Sequence, residues 1–299
     1  MTRDDLMPPA APLPSRPEDG HKGIFGTVLV IGGCDDEKAC MVGGPSFAAI
    51  GALRAGAGRA ILATPRTILS SCLEVAPSAT GLPLSEEPSQ AVASVMEMLP
   101  QVQAVIIGPG LGASERSRAL VTSVLQSDDS PPIVLDADGL NVFASEAGHG
   151  MTFRNPVVLT PHPGEYDRLA EALNLPLKPR SAGERVEAAR KLSGCLNAVC
   201  VLKGQGTVVA SNDKSWTCER GSVVLATGGT GDVLAGIIGG LLAQGVHADM
   251  SDPWDLAAWG TWIHAVAGEQ WASRNGSAGM LVADLAEEVP AVMSQVPRA

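Results

Sequence analysis

With 299 residues, 45% of them hydrophobic and only 18% charged, the chain has enough apolar side chain to bury a sizeable core and lacks the composition of a disordered protein. Its formal net charge of -11 excludes a broad nucleic-acid surface, which requires clustered Lys and Arg. No apolar h-region opens the chain, no apolar run reaches the ~18 residues of a membrane span, and the six cysteines form neither a Cys-x-x-Cys pair nor a zinc-spaced cluster. The expectation is a cytoplasmic protein with free thiols that meets neither membrane nor nucleic acid.

Residues 1–20 contain Pro8, Pro9, Pro12, Pro14 and Pro17, which remove backbone donors and fix φ. They read as a flexible arm, with order starting near His21. Beyond it, β-branched apolar runs alternate with helical patterns, the signature of βαβ units around a parallel sheet buried on both faces. The predicted strands are 27–31, 59–63, 104–107, 132–136, 157–160, 198–202 and 207–210. The first predicted helix, 45–55, starts on Pro45, shows the stripe Phe47, Ile50 and Leu53, and stops at Gly56-Ala57-Gly58. Helices at 115–126, 164–173, 182–193, 232–244 and 253–273 follow. The segment 232–244 is apolar on nearly every face, which places it at the centre of a domain. Trp254, Trp259, Trp262 and Trp271 on the last helix read as core in preference to a subunit contact. No repeat is visible and the only other breaker lies around residues 85–89, so 21–299 reads as one domain.

In an open parallel sheet the ligand site lies at the carboxyl ends of the strands. The unusual residues of this chain follow its strands. Gly108-Pro109-Gly110-Leu111-Gly112 comes after 104–107, Asp136 and Asp138 after 132–136, His162 to Glu165 after 157–160, and Lys203-Gly204 after 198–202. The strongest signal is Gly228-Gly229-Thr230-Gly231-Asp232. Three glycines in four residues let successive amides turn to one point at the positive end of the following helix, so a phosphate is held without a basic side chain. A carboxylate beside a phosphate is repelled by it, which makes sense when Asp232 takes a proton from an incoming hydroxyl. A plain helix N-cap is the competing account.

The other clusters each admit two accounts. The 108–112 loop approaches a ligand or merely turns. Asp136 and Asp138, as a strand continuation, face one side and suit magnesium or a hydroxyl; equally, they form a turn. Glu165 orients magnesium or complements a helix dipole, His162 contacts substrate or satisfies a local carbonyl, and Lys203 reaches a phosphate or snorkels at a strand end.

Taken together, these motifs resemble the ADP/ATP-dependent NAD(P)H-hydrate dehydratase family of the ribokinase-like superfamily. The resemblance spans residues 21–290 and is carried by His21-Lys22-Gly23, 26–33, 52–58, 108–112, 135–141, 159–165 with Arg168-Leu169, 202–204 and 227–232. It implies an α/β ribokinase-like three-layer sandwich, a mostly parallel sheet with helices on both faces. It also implies a carbon–oxygen lyase of metabolite repair that returns NADHX or NADPHX to NADH or NADPH. The ring hydroxyl is phosphorylated from ADP or ATP with Mg2+ and leaves as phosphate.

By this resemblance Asp232 contacts the hydrate hydroxyl. Gly110, His162, Pro163, Gly164, Glu165, Tyr166, Asp167 and Arg168 hold the hydrate, with Glu165 near magnesium through an indirect contact. Lys203, Gly204, Gln205, Gly206 and Thr207 enclose the nucleotide together with Ser222, Val223, Val224, Leu225, Ala226, Thr227, Gly228, Gly229, Thr230 and Gly231. A homo-oligomer, in the family a tetramer, and a separate upstream epimerase chain are implied too. Ser222 to Leu225 stands where the family often has Asn-Pro-Gly-Met, and Cys34 to Met41 replaces a shorter Gly/Ser-rich loop. The alternatives are a hydroxymethylpyrimidine, hydroxyethylthiazole or sugar kinase of the same superfamily, and a nucleotide binder without turnover. Asp232 argues against the last.

Overall fold

Two-residue alternation along short apolar strands builds the centre of the molecule. The computed structural model describes residues 11–13, 15–36, 39–146, 153–175, 179, 181–246 and 252–298. Its strands are β1 (Thr27–Ile31), β2 (Cys34–Asp35), β3 (Cys40–Met41), β4 (Arg59–Pro65), β5 (Thr80–Leu84), β6 (Ala104–Ile107), β7 (Ile133–Leu135), β8 (Val157–Leu159), β9 (Val199–Leu202), β10 (Thr207–Ala210) and β11 (Ser215–Cys218). All but β2 and β3 form one sheet in the order β11-β10-β9-β8-β7-β6-β1-β4-β5. It is parallel except where β10 runs antiparallel to β9 and β11; β2 and β3 make a separate hairpin.

The helices are α1 (Gly43–Arg54), α2 (Leu69–Val75), α3 (Pro88–Met98), α4 (Glu115–Gln126), α5 (Asp138–Glu146), α6 (Pro163–Ala172), α7 (Ala182–Leu196), α8 (Thr230–Gly245), α9 (Pro253–Asn275) and α10 (Val282–Met293). Val28, Val30, Ala104 and Ile106 join a core with α1, α2, α8, α9 and α10. Their alternating neighbours Leu29, Ile31, Val105 and Ile107 join a second core with α3 to α7. Because successive strand side chains point to opposite faces, a strand covered on both sides is apolar throughout. The result is the expected three-layer sandwich. Among the described residues no helix is long and apolar enough to cross a membrane.

Helix α8 is apolar on nearly every face because it lies between the sheet and α1, α9 and α10. Glycines permit its approach to α1: a Cβ on Gly51 would come within 2.7 Å of the Val233 carbonyl, and one on Gly240 within 2.6 Å of the Ala52 carbonyl. The tryptophans are core, with Trp254, Trp259, Trp262 and Trp271 all buried.

Several elements depart from the sequence expectation. Order is present well before His21: Leu13 is 1% exposed, its amide donates to the Pro297 carbonyl, and the Trp259 indole donates to the Ala11 carbonyl. Arg16 donates to the Gly56 carbonyl and to Gln244 Oε1. The described part of the N-terminal segment is therefore docked, whereas residues 1–10 lie outside the described residues. Strand β5 was hidden by Gly81 and Pro83, and a proline is tolerated there because β5 is an edge strand. The apparent breaker at 85–89 is the start of α3, with Pro88 at a first-turn position where its missing N–H costs nothing.

Candidate active site

The backbone beyond β6 and β7 turns sharply. Gly108 has φ +125, and a Cβ there would overlap the Asp136 carbonyl. Ala137, at φ 49, breaks the extended run after β7. Asp136 and Asp138 consequently do not continue a strand, which removes the strand-continuation expectation and leaves the turn. Each has its own task. Asp138 Oδ2 accepts from the Gly112 amide at 2.9 Å and its Oδ1 from Asn141 Nδ2 at 3.3 Å, while Arg168 Nε donates to Asn141 Oδ1 at 2.8 Å. This relay ties together the loops after β6, β7 and β8. Gly110 (φ +61) sits beneath Met41 of the β2–β3 hairpin.

Asp136 is 1% exposed and pairs across the sheet. Its Oδ1 accepts from Thr160 Oγ1 at 2.6 Å and from Lys203 Nζ at 2.8 Å, and the same ammonium lies 3.8 Å from Glu165 Oε2. Burial opposes the Lys203 charge, but Asp136 and Glu165 outweigh it and hold the ammonium above its ordinary pKa.

His162 caps α6. Its Nδ1 accepts from the Gly164 and Glu165 amides at 3.0 and 3.3 Å, and Glu165 Oε2 accepts in return from the His162 amide at 2.7 Å, which completes a capping box. The accepting Nδ1 leaves the proton on Nε2. Burial, Lys203 and Arg168 all hold this ring below the usual histidine range. Glu165 is 5% exposed, and burial pushes its carboxyl upward. Glu165 is thus the first-turn acid of its structural account, whereas His162 satisfies two amides and not the carbonyl that its structural account expected.

Among the described residues no group of three His, Cys, Asp or Glu side chains is placed to hold a metal. Tyr166 also departs from expectation. It is fully buried in the core beneath α6, with its hydroxyl lacking a hydrogen-bond partner among the described residues. Pro163 and Arg168 are exposed and Asp167 is half-buried. Because a buried unpartnered hydroxyl is a desolvation cost, Tyr166→Phe is expected to raise stability, by about 1 kcal/mol, as read by denaturant unfolding.

The glycine turn opens α8. Gly229 adopts φ 95, and the Thr230 hydroxyl lies 2.8 Å from the Leu225 carbonyl and 2.9 Å from that of Thr227. The amides of Thr230, Asp232 and Val233 fold back on Thr227 and Gly229, whereas those of Gly228, Gly229 and Gly231 find no backbone carbonyl among the described residues. A Cβ at Gly228 would meet nothing within 4 Å, and one at Gly231 would meet only Lys203 Nζ at 3.3 Å. Free amides, a helix N-terminus and an ammonium thus meet at one place.

Beside this turn lies a cavity of about 600 Å³, lined by the whole of 203–207, by Ser222, Val223, Leu225, Ala226, Thr230 and Gly231, and by Glu219, Arg220, Gly221, Leu234, Thr261, His264 and Ala265. Of the expected nucleotide residues, Val224 is instead buried in the core, and Thr227, Gly228 and Gly229 lie outside this lining. The sequence reading missed the α9 wall. There His264 Nε2 lies 2.9 Å from the Thr230 carbonyl, and burial holds the ring neutral, with its pKa pushed down to about 4, so Nε2–H is the donor.

Asp232 does not line this cavity. Burial, reinforced by Asp136, Asp138 and Glu165 and opposed by Lys203, pushes its carboxyl up to about 7. It therefore stands where the anion turn meets the loops after β7, β8 and β9.

A sheet between two helical layers with a glycine turn at its carboxyl edge defines a ribokinase-like protein. The ribokinase-like superfamily protein of Enterococcus faecalis shares this fold with a TM-score of 0.77 at 24% identity, over 95% of this chain and 92% of that one. Residues 28–291 match the NAD(P)H-hydrate dehydratase family model, and the chain belongs to that family. The Bacillus subtilis ADP/ATP-dependent NAD(P)H-hydrate dehydratase, co-crystallised with ATP/Mg2+, is 30% identical with a TM-score of 0.73, over 95% of this chain and 94% of that one. The bifunctional NAD(P)H-hydrate repair enzyme of Moorella thermoacetica is 35% identical over 287 residues, 94% of this chain and 52% of that protein. The chain spans about half the length of such bifunctional relatives.

Proposed function

We propose that this protein dehydrates NADHX or NADPHX to the reduced dinucleotide at the expense of ADP or ATP. The observation that carries the reading is Asp232: a largely buried carboxyl raised to about 7, set between an anion turn and a second group of loops. Such a group is a good base near neutral pH. The cavity volume of about 600 Å³ suits a nucleotide, and the amides of the 228–231 turn with Lys203 suit its phosphates.

Asp232 takes the proton from the ring hydroxyl as that oxygen attacks the terminal phosphoryl group. The turn amides and Lys203 stabilise the charge that develops there. The P–O bond to the nucleotide breaks with its electrons on the departing AMP (from ADP) or ADP (from ATP). The ring C–O bond then breaks with its electrons leaving on phosphate, a better leaving group than hydroxide, as the ring nitrogen lone pair forms C=N. Loss of a proton from the adjacent ring carbon to water restores the ring C=C bond. His162 to Arg168 and Gly110 hold the hydrate on the Asp232 side. Glu165 would meet a magnesium ion through water, and the ion would supply charge neutralisation at the phosphates. The same reading includes a cytoplasmic homo-oligomer, with a tetramer as the first expectation, and an epimerase activity upstream.

Family membership favours dehydration over the vitamin-precursor and sugar kinases that share the fold. The test is incubation with NADHX or NADPHX and ADP or ATP. Return of reduced-nicotinamide absorbance is expected; phosphorylation of a vitamin precursor with no such return overturns the reading.

A further inference from the structure

The cavity wall at 203–207 joins β9 to β10 and has little internal support. Gly204 and Gly206 adopt φ +139 and +65, and the loop's own side-chain bond is Thr207 Oγ1 to the Gly204 carbonyl at 2.9 Å. Its rigidity comes from behind. Arg185, on α7, directs Nη2 at the carbonyls of Leu202, Lys203 and Gly206, at 3.0, 3.1 and 3.5 Å. A Cβ on Gly204 would lie 3.1 Å from Nη2 and 3.2 Å from Nη1, so the loop backbone lies against the guanidinium, and the φ of +139 favours glycine there. Arg185 Nε is buried without a hydrogen-bond partner among the described residues. Arg185 itself does not line the cavity.

This is an unusual use of an arginine. Burying a guanidinium is costly, and the usual compensation is a carboxylate or phosphate. Here its hydrogen bonds go to main-chain carbonyls flanking the one lysine that faces the anion turn. The flat fork of an arginine can serve several converging carbonyls at once, which a lysine point charge cannot do equally well. We propose that Arg185 is a positioning residue for nucleotide binding. It holds the 203–207 loop in the shape that walls the cavity and aims Lys203 at Gly231, without touching the nucleotide. The proposal rests on the cavity being the nucleotide site.

The test uses the full chain with Arg185→Met and Arg185→Lys. Calorimetric Kd for ADP and ATP, KM for nucleotide and for hydrate, kcat, and the unfolding midpoint are measured for each. The Met variant is expected to raise nucleotide Kd and KM about tenfold or more while hydrate KM stays within about twofold, and the Lys variant to recover part of the loss. A lower unfolding midpoint with unchanged nucleotide Kd assigns Arg185 a purely structural role and overturns the proposal. Should the Met variant not fold, the Lys variant decides by the same comparison of Kd with midpoint. A wild-type protein that binds no adenine nucleotide sinks the functional reading and this proposal together; wild-type binding with an unchanged variant Kd sinks this one alone.

Discussion

Asp232→Asn is expected to lower kcat by about 10²–10⁴-fold, the usual yield of a positioned base, while adenine-nucleotide affinity changes little. The amide keeps the shape of the carboxyl and cannot take a proton. The cavity wall is left intact, because Asp232 lies outside it. The sign of the pH dependence follows from the raised pKa. Burial and the carboxylates of Asp136, Asp138 and Glu165 lift Asp232 from 3.8 to about 7, and only its ionised form acts as base. The kcat/KM of the wild type should therefore climb as pH rises through about 7, and that limb should vanish in the variant.

Stability runs the other way. An acid whose folded pKa is raised contributes stability in full below its unfolded value, and this is lost as pH rises through the folded value. Above pH ~7 the Asn variant should thus unfold at a higher temperature than wild type, the stability–activity exchange common at catalytic groups. Activity surviving the substitution would remove Asp232 from its assigned role.

Lys203→Met is expected to destabilise the protein by about 3–5 kcal/mol, because removing one partner from a buried ion pair leaves the other charge uncompensated. Asp136 and Glu165 are 1% and 5% exposed, and the Lys203 ammonium lies 2.8 and 3.8 Å from their oxygens. Adding Asp136→Asn should restore much of the loss, since the amide removes the stranded charge and its oxygen still accepts from Thr160. Denaturant unfolding of wild type, both singles and the double gives the coupling directly. A loss below about 1 kcal/mol in the Lys203 single would show the pair to be solvent-screened. The ammonium's pKa is held above 10.5, so its own charge is complete across neutral pH, but it also lowers Asp232, so the stability loss in the Met variant should grow as pH rises through about 7. Nucleotide KM should rise in the same variant, because this ammonium faces the Gly231 turn.

Both effects depend on contacts that local pattern does not encode. Strands 27–31, 104–107 and 207–210 and helix 115–126 were placed residue for residue, since apolar alternation and a Ser114 cap act within a few neighbours. Helix α5 was not read, because its first residues, Asp138 and Gly139, look like a turn. Strand β11 is short and half-buried, as edge strands often are.

Local chemistry along the chain was enough to announce the buried strands, the all-apolar helix α8 and the glycine turn before it, because strand period, helix period and positive φ are short-range demands. It also placed most of the cavity lining, through the runs 203–207 and 222–231. Folding alone decided the rest. Asp136 meets Lys203 across 67 residues of sequence, Tyr166 turns into the core while its neighbours Glu165 and Arg168 bond to adjoining loops, and Arg185 and His264 reach the cavity walls from helices that carry no motif. The physical reason is range. The charge state of Asp232 is a sum over burial, three carboxylates from two other loops and the Lys203 ammonium from a third, and no stretch of sequence contains that sum until the sheet brings its strand ends together.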